Sequence, residues 1–483
     1  MPAPGVEAAS FFESPDLFGD EIALVSDTGE ALTYADLRRI ADALQGHFTR
    51  KSLVFSLCDN SPESVAAYLG FLRARTVPVM LNRGIHDDLL GKLLLAYEPE
   101  FIWLPADRAA NAAGTHLGAQ VGAEQYRHGA YVLCRTRFAA QYPIHDDLAQ
   151  LLATSGSTGS PVLVRQSYQN IAGNARAIAA CLGIGKSDRP ITTLPMSYTY
   201  GLSIICSHLQ LGCTLLLTNK SLMDKGFWEL LKGERATTFG GVPYTYEMLK
   251  KLRFARMDLP SLRYLTQAGG RLSAELSREF ATVCREKGMR YITMYGQTEA
   301  TARMSYLPNE HAEAKAGSIG IPIPGGRFHL EDGEGAEITE ADAVGELVYR
   351  GDNVAMGLAA DCSELGKGDE NRGTLHTGDL ARRDVDGFYY IAGRKKRMLK
   401  LFGNRVNLAD VDAWCGELGF PAMSAGEDDH LRIYTTAAEA LHHAEIRQAV
   451  AARMGIHPSA IDVVHIDEFP RNEAGKLLYS ALP

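Results

Sequence analysis

Between Leu53 and Leu81 the chain spells a strand, a helix and a second strand, an order that a parallel sheet with a helical crossover satisfies. Leu53-Val-Phe-Ser-Leu57 is a continuous apolar run suited to a strand buried on both faces. Asn60-Ser61 ends it. Ser61 is placed to cap a helix whose first turn holds Pro62, where a missing N–H costs nothing. Val65, Leu69 and Leu72 then keep helical spacing, and Val77-Pro-Val-Met-Leu81 returns as a strand. Two strands joined this way pair in parallel. The alternation recurs with Leu89, Leu90, Leu93, Leu94 and Tyr97 on one helix face, a stop before Pro99, and the strand Phe101-Ile-Trp-Leu104. The expected class is α/β: a large N-terminal domain of layered sheets flanked by helices over residues 1–394, and a small mobile α+β domain over residues 395–483. The charged stretch from Arg394 to Lys400 marks the boundary and reads as an exposed hinge.

Length and charge narrow the function classes. With 483 residues and 46% apolar content there is ample material for a large core. The 49 basic and 58 acidic residues give a net charge of −9, and the only basic run is Arg394-Lys-Lys-Arg397, so an electrostatic case for nucleic-acid binding is absent. The most apolar stretch, Leu202 to Leu217, is interrupted by Ser207, His208, Gln210 and Thr214, too polar for a membrane span. Met1-Pro-Ala-Pro-Gly-Val-Glu7 lacks the basic start and apolar core of a secretory signal, so a cytoplasmic location is expected. Eight cysteines without a C-x-x-C pair read as reduced thiols, not as a disulfide framework or metal site.

The chemistry-bearing segments come in a fixed order. Thr154-Ser-Gly-Ser-Thr-Gly159 interleaves hydroxyls with glycines, a composition that brings backbone N–H groups and hydroxyl donors to an anion. Downstream follow Tyr295-Gly-Gln-Thr-Glu299, His376-Thr-Gly-Asp379 with Gly393-Arg394 behind it, and Pro470-Arg-Asn-Glu-Ala-Gly-Lys476. From Leu32-Thr-Tyr-Ala-Asp-Leu37 to Lys476 the chain resembles the adenylate-forming superfamily, which includes acyl- and aryl-CoA synthetases. A second apparent phosphate motif, Gly183-Ile-Gly-Lys-Ser187, fails the Walker spacing because Ala180 stands where a glycine is needed, and it reads as a surface turn.

The resemblance implies ATP and Mg²⁺ as reactant and cofactor, and a role for each motif. Thr154, Ser155, Gly156, Ser157, Thr158 and Gly159 would hold the β- and γ-phosphates. Tyr295 and Gly296 would lie against adenine, with Gly269, Gly270 and Arg271 lining it. Thr298 would donate to the α-phosphate, Glu299 would ligate Mg²⁺, and Asp379 would accept from the ribose hydroxyls with Arg394 beside it. Lys476 would bridge carboxylate and α-phosphate, Lys396 is the hinge, and Gly403 would let a pantetheine arm approach. One position departs from the family: the residue after Pro161 is usually lysine and is Val162 here, while Arg165 lies three residues on.

For the acid, Leu194-Pro-Met-Ser-Tyr-Thr-Tyr-Gly201 resembles the segment that carries an aromatic gate. Tyr198, Tyr200, Phe239, Gly240, Gln267 and the stretch Ala302 to Met304 are the expected pocket walls. No aspartate stands between Leu194 and Ile205 to bind an α-ammonium, which favours an acyl or aryl acid over an amino acid. The expected partners are that acid and a phosphopantetheine thiol, of CoA or of an acyl carrier protein. Attack by an amine and a non-catalytic binding role, the latter prompted by Val162, are the alternatives.

Overall fold

The computed structural model describes residues 10–13, 15–153, 162–401, 404–427, 429–454, 456–471, 475 and 477–483. The expected crossover is present. Leu53–Cys58 and Val77–Asn82 pair in parallel, and the helix Pro62–Arg73 between them is capped by the Ser61 side chain, which accepts from the Ser64 N–H. Phe101–Pro105 and Leu148–Ala153 extend the parallel block on either side. Antiparallel strands complete an eight-stranded sheet in the order Gly357–Ala359, Leu163–Ser167, Leu148–Ala153, Val77–Asn82, Leu53–Cys58, Phe101–Pro105, Tyr131–Thr136, Val121–His128.

Alternate residues of the central strands feed two cores. Leu53, Phe55, Leu57 and Val79 pack with Leu90, Leu93, Leu94 and Tyr97 of the helix Asp87–Tyr97. On the opposite face Cys58, Met80 and Leu152 pack with Leu37, Ile40, Val65 and Leu69 from the helices Tyr34–Gln45 and Pro62–Arg73. Each Leu or Val buried in this way contributes about 1.5–3 kcal/mol. Part of the resemblance noted above is structural in origin: Thr33 and Asp36 form a reciprocal capping box at the start of Tyr34–Gln45.

A second, five-stranded sheet follows the order Thr238–Gly241, Tyr264–Gln267, Arg290–Tyr295, Ser305–Tyr306, Ile321–Pro322, with the first three strands parallel. It carries two of the motif segments at its strand ends. Leu202–Leu217 divides into the helix Thr199–Leu209 and the strand Leu215–Leu217, and no helix among the described residues is long and apolar enough to cross a membrane. Gly183, at φ +61, is the left-handed cap of the helix Tyr168–Leu182, and Lys186 pairs at the surface with Glu21, as a surface turn requires.

Packing divides the chain into two compact units: Met1–Arg327 with Arg350–Leu375, and Phe328–Tyr349 with His376–Pro483. The second contains the strand Tyr389–Arg394 and most of the strands Val344–Arg350 and Thr374–Arg383 of a five-stranded sheet. It also contains the α+β segment in which Ala422–Glu427, His430–Thr435 and Ile461–His465 pack through Leu431 and Ile433 on Val411, Ile446 and Val450. All eight cysteines are free thiols. Burial pushes every one of them above the ordinary thiol range. Among the described residues no group of His, Cys, Asp and Glu could hold a metal ion as a cluster.

Candidate active site

The strand Arg290–Tyr295 runs out into a turn that only glycine can begin: a Cβ on Gly296 would stand 1.7 Å from the Ala302 carbonyl oxygen. The Gln297 amide donates to the Tyr295 hydroxyl at 3.1 Å. Thr298–Ala300 then makes one tight helical turn, and Thr301 closes it in a γ-turn at φ +65 and ψ −49, with the Ala302 N–H donating to the Ala300 carbonyl at 2.7 Å, a conformation that costs a β-branched residue free energy. The surroundings hold it there. Gln166 Nε2 donates to the Thr298 carbonyl at 2.8 Å, the Ala355 N–H to that of Glu299 at 2.9 Å, Asn353 Nδ2 to that of Ala300 at 2.9 Å, and the Thr199 hydroxyl to that of Thr301. Gln166 is itself oriented by Gln150 Nε2 at 2.6 Å, and Gln150 by the Tyr68 hydroxyl at 2.7 Å. All four carbonyls of the turn are thus satisfied by neutral donors. Thr298 is buried and Glu299 half-buried, and among the described residues no side chain pairs with the Glu299 carboxylate.

Gln166 and Asn353 escaped the sequence reading. Each is a lone polar residue in an otherwise unremarked stretch, and only contacts across 132 and 53 positions reveal what they hold.

The expected acid walls assemble in part. Gly269 has φ +80, and a Cβ there would lie 2.5 Å from the Tyr198 hydroxyl. The Tyr198 and Tyr200 rings meet edge-on at 6.4 Å, and burial raises the pKa of both phenols. The Tyr200 hydroxyl is 2.8 Å from Thr266 Oγ1 and the same distance from where a Gly240 Cβ would be, so the wall is closed by a residue with no side chain. Gln267 is buried and donates to the Gly270 carbonyl at 3.0 Å, while Gly270 and Arg271 are exposed. Phe239 is not brought to this group. Strand alternation turns it to the other face, where it packs edge-on against Phe227 at 6.3 Å.

In the second unit Asp379 and Arg394 are cross-strand partners, and Arg394 Nε donates to Asp379 Oδ1 at 2.8 Å. Asp379 is buried, and the N–H beside its side chain is fixed by the Thr377 hydroxyl at 3.1 Å. Lys396 lies in the short helical turn Lys395–Arg397 that follows. The cations flanking it are both tethered, Lys395 to Glu346 and Arg397 to Asp412 at 2.9 Å. Tyr479 donates to the same Asp412 carboxylate at 3.0 Å and carries the Arg397 guanidinium over its ring at 3.7 Å.

Thr154, Ser155, Gly156, Ser157, Thr158, Gly159, Gly403 and Lys476 lie outside the described residues. The frame of Lys476 is described at its edges: the Leu478 N–H donates to the Pro470 carbonyl at 2.8 Å, and Arg471 to that of Gly475 at 3.0 Å. Arg165, three residues after Val162, is spent on structure. Its guanidinium is fully buried, donates to the carbonyls of Leu358, Lys367, Gly368 and Met356, and pairs with Glu370.

The sequence model of the family described as AMP-binding enzyme matches residues 11–359. Among curated proteins, an indoleacetate–CoA ligase of Aromatoleum aromaticum is 27% identical over 92% of this chain and 91% of its own length. A 3-hydroxybenzoate–CoA ligase of an Aromatoleum species is 26% identical over 95% and 92%. Among solved structures, the fold is similar to that of O-succinylbenzoate coenzyme A synthetase from Bacillus subtilis in complex with AMP, with TM-score 0.78 and 23% identity over 98% of both chains. It is also similar to that of ATP-bound MatB from Rhodopseudomonas palustris, with TM-score 0.78 and 21% identity over 98% and 97%.

Proposed function

Because this chain belongs to the AMP-binding enzyme family, we propose that it joins a carboxylic acid to a thiol in two steps, with ATP as the activating reactant. An oxygen of the acid attacks the α-phosphorus, the bond to pyrophosphate breaks, and acyl-AMP forms. The sulfur of a phosphopantetheine thiol then attacks the acyl carbon, its proton goes to solvent, and AMP leaves.

The observation that carries this reading is the turn Gln297–Thr301. The carbonyls of Thr298, Glu299, Ala300 and Thr301 are occupied by fixed donors that hold the turn in place, and among the described residues no side chain pairs with the Glu299 carboxylate. An unpaired carboxylate is a hard oxygen donor and fits Mg²⁺, which when bound would offset phosphate charge. In the same reading Tyr295 stacks on adenine, Gly269, Gly270 and Arg271 line it, and Asp379 exchanges its Arg394 contact for the ribose hydroxyls. The 154–159 loop takes the terminal phosphates, and Lys476 neutralises charge at the α-phosphate. Residues 395–483 would pivot at Lys396 between the two steps, bringing Gly403 to the pantetheine arm.

The relatives' names support an acyl or aryl acid and support CoA as the thiol, with a carrier protein's phosphopantetheine as the second acceptor. The test is Mg²⁺-dependent exchange of labelled pyrophosphate into ATP across a panel of aliphatic and aryl acids, followed by mass analysis after CoA or a loaded carrier is supplied. Exchange with at least one acid is expected. ATP binding with no exchange from any acid would overturn the reading in favour of a binding protein.

A further inference from the structure

We propose that the acid activated here carries a second, anionic oxygen group remote from its reacting carboxylate, and that Arg303 is the residue that selects it. The inference rests on the reading of the site given above and names the substrate class it leaves open.

Arg303 stands four residues after Glu299, between the motif turn and the strand Ser305–Tyr306. Its backbone is pinned: its carbonyl accepts from Asn174 Nδ2 at 2.8 Å and Asn353 Nδ2 at 3.2 Å, and the next N–H donates to the Tyr295 carbonyl at 2.8 Å. The side chain therefore leaves from a fixed point beside the adenine-stacking position. It is 2% exposed. Its guanidinium carbon lies 4.9 Å from the Tyr200 ring centroid, over the expected acid wall, and one terminal nitrogen meets the Met294 sulfur at 3.2 Å. Nε has no partner, and among the described residues no carboxylate lies within ion-pair distance. The titratable groups that face it are Tyr200, Cys181, Tyr264 and His208, all kept neutral by burial. Burial lowers the pKa of Arg303 as well, yet a guanidinium stays protonated in proteins.

Arg165 shows what a satisfied arginine looks like at the same depth, with carbonyls and a carboxylate taking its donors. Arg303 has a thioether and a ring face. Buried charge without an anion is costly, and its persistence beside a ligand wall points to an anion supplied with the ligand. A planar fork of N–H donors matches a carboxylate in two-point contact. A tail that ends in a methyl group would cover the guanidinium and leave it unpaired, which is how sites built for a polar group reject analogues without one.

The experiment compares acids matched in length, linear and aryl, one of each pair ending in a carboxylate and the other in a methyl group, by pyrophosphate exchange with the wild-type protein. The charged member is expected to win by about a hundredfold or more in kcat/KM. Arg303→Met should bring the ratio to within a few-fold of unity, mainly by raising KM for the charged acid, and Arg303→Lys should restore part of it. Calorimetric titration of the diacid into the wild-type protein without ATP gives a second readout that needs no variant. A wild-type enzyme indifferent to the distal group, or an Arg303→Met variant that weakens both acids equally, would overturn the proposal. Absence of exchange with every acid counts against the activation reading instead, so the two failures are distinguishable.

Discussion

The first unit buries Arg165 and Arg303 until water no longer reaches their guanidinium groups, whereas the second displays Arg394 at 53% and Lys395 at 51% exposure on a strand end and the turn after it. The difference follows from what each charge meets. Arg165 ties two distant segments together through carbonyls and cannot be released without stranding them. Arg394 and Lys395 of the second unit are half-exposed and pair with Asp379 and Glu346, and ion pairs open to water contribute only about 0–1 kcal/mol. Arg165 is thus a fixed tether in the first unit, whereas Arg394 and Lys395 meet their partners from solvent in the second.

Removing charge from the second unit should break that division most visibly. Lys476→Ala is expected to lower pyrophosphate exchange by about a hundredfold or more, as loss of a transition-state donor commonly does. With chemically made acyl-adenylate and the right thiol, the same variant should still form thioester. Lys396→Pro, which restricts the hinge dihedrals, should retain exchange and lose thioester formation. Equal loss of both steps in both variants, with folding intact, would leave Lys476 and the pivot without the roles given them.

Arg165→Met probes the opposite side. It leaves several buried carbonyls short of a donor, at about 1–3 kcal/mol for each that finds no water, so the melting temperature should fall by several degrees. Exchange per folded molecule should stay at the wild-type level. Lost exchange in a variant of unchanged stability would show that Arg165 serves phosphate after all.

The smallest effect is expected from Val162→Lys, which adds to the first unit the cation it lacks. A shift of a few-fold in the apparent affinity for ATP or pyrophosphate is expected, about 1 kcal/mol or less for one partly solvated charge, read from the concentration dependence of exchange. An inactive wild-type protein rescued by this substitution would mean that the phosphate loop needs the charge.

Much of the architecture was legible because its signals are local. Ser61 and Pro62 announce a helix start within two residues, and the apolar run Leu53 to Leu57 announces a two-sided strand. The motif turn was legible for another reason: Gly296 sits where no side chain fits, so the glycine in the sequence marks the turn itself. What stayed hidden depends on distant partners. Arg165 and Arg303 look alike in sequence, and only contacts with residues near 358–370 for the first and with Tyr200 and Met294 for the second separate a tether from a charge without a carboxylate partner among the described residues. Phe239 belongs to an apolar segment that reads as pocket wall, yet a period of two sends adjacent residues to opposite faces.

The state of the thiols has a practical bearing on watching this molecule at work. With all eight cysteines held above the ordinary thiol range, and Cys415, in the second unit, buried with its pKa near 12, the native chain offers maleimide reagents little thiolate at neutral pH. A cysteine introduced at an exposed position on each side of Lys396, one in the first unit and one within residues 404–483, would take a fluorophore in preference to the native eight. Energy transfer between the two dyes, followed as acid, ATP and thiol are added in turn, would then test the proposed pivot at Lys396, one molecule at a time.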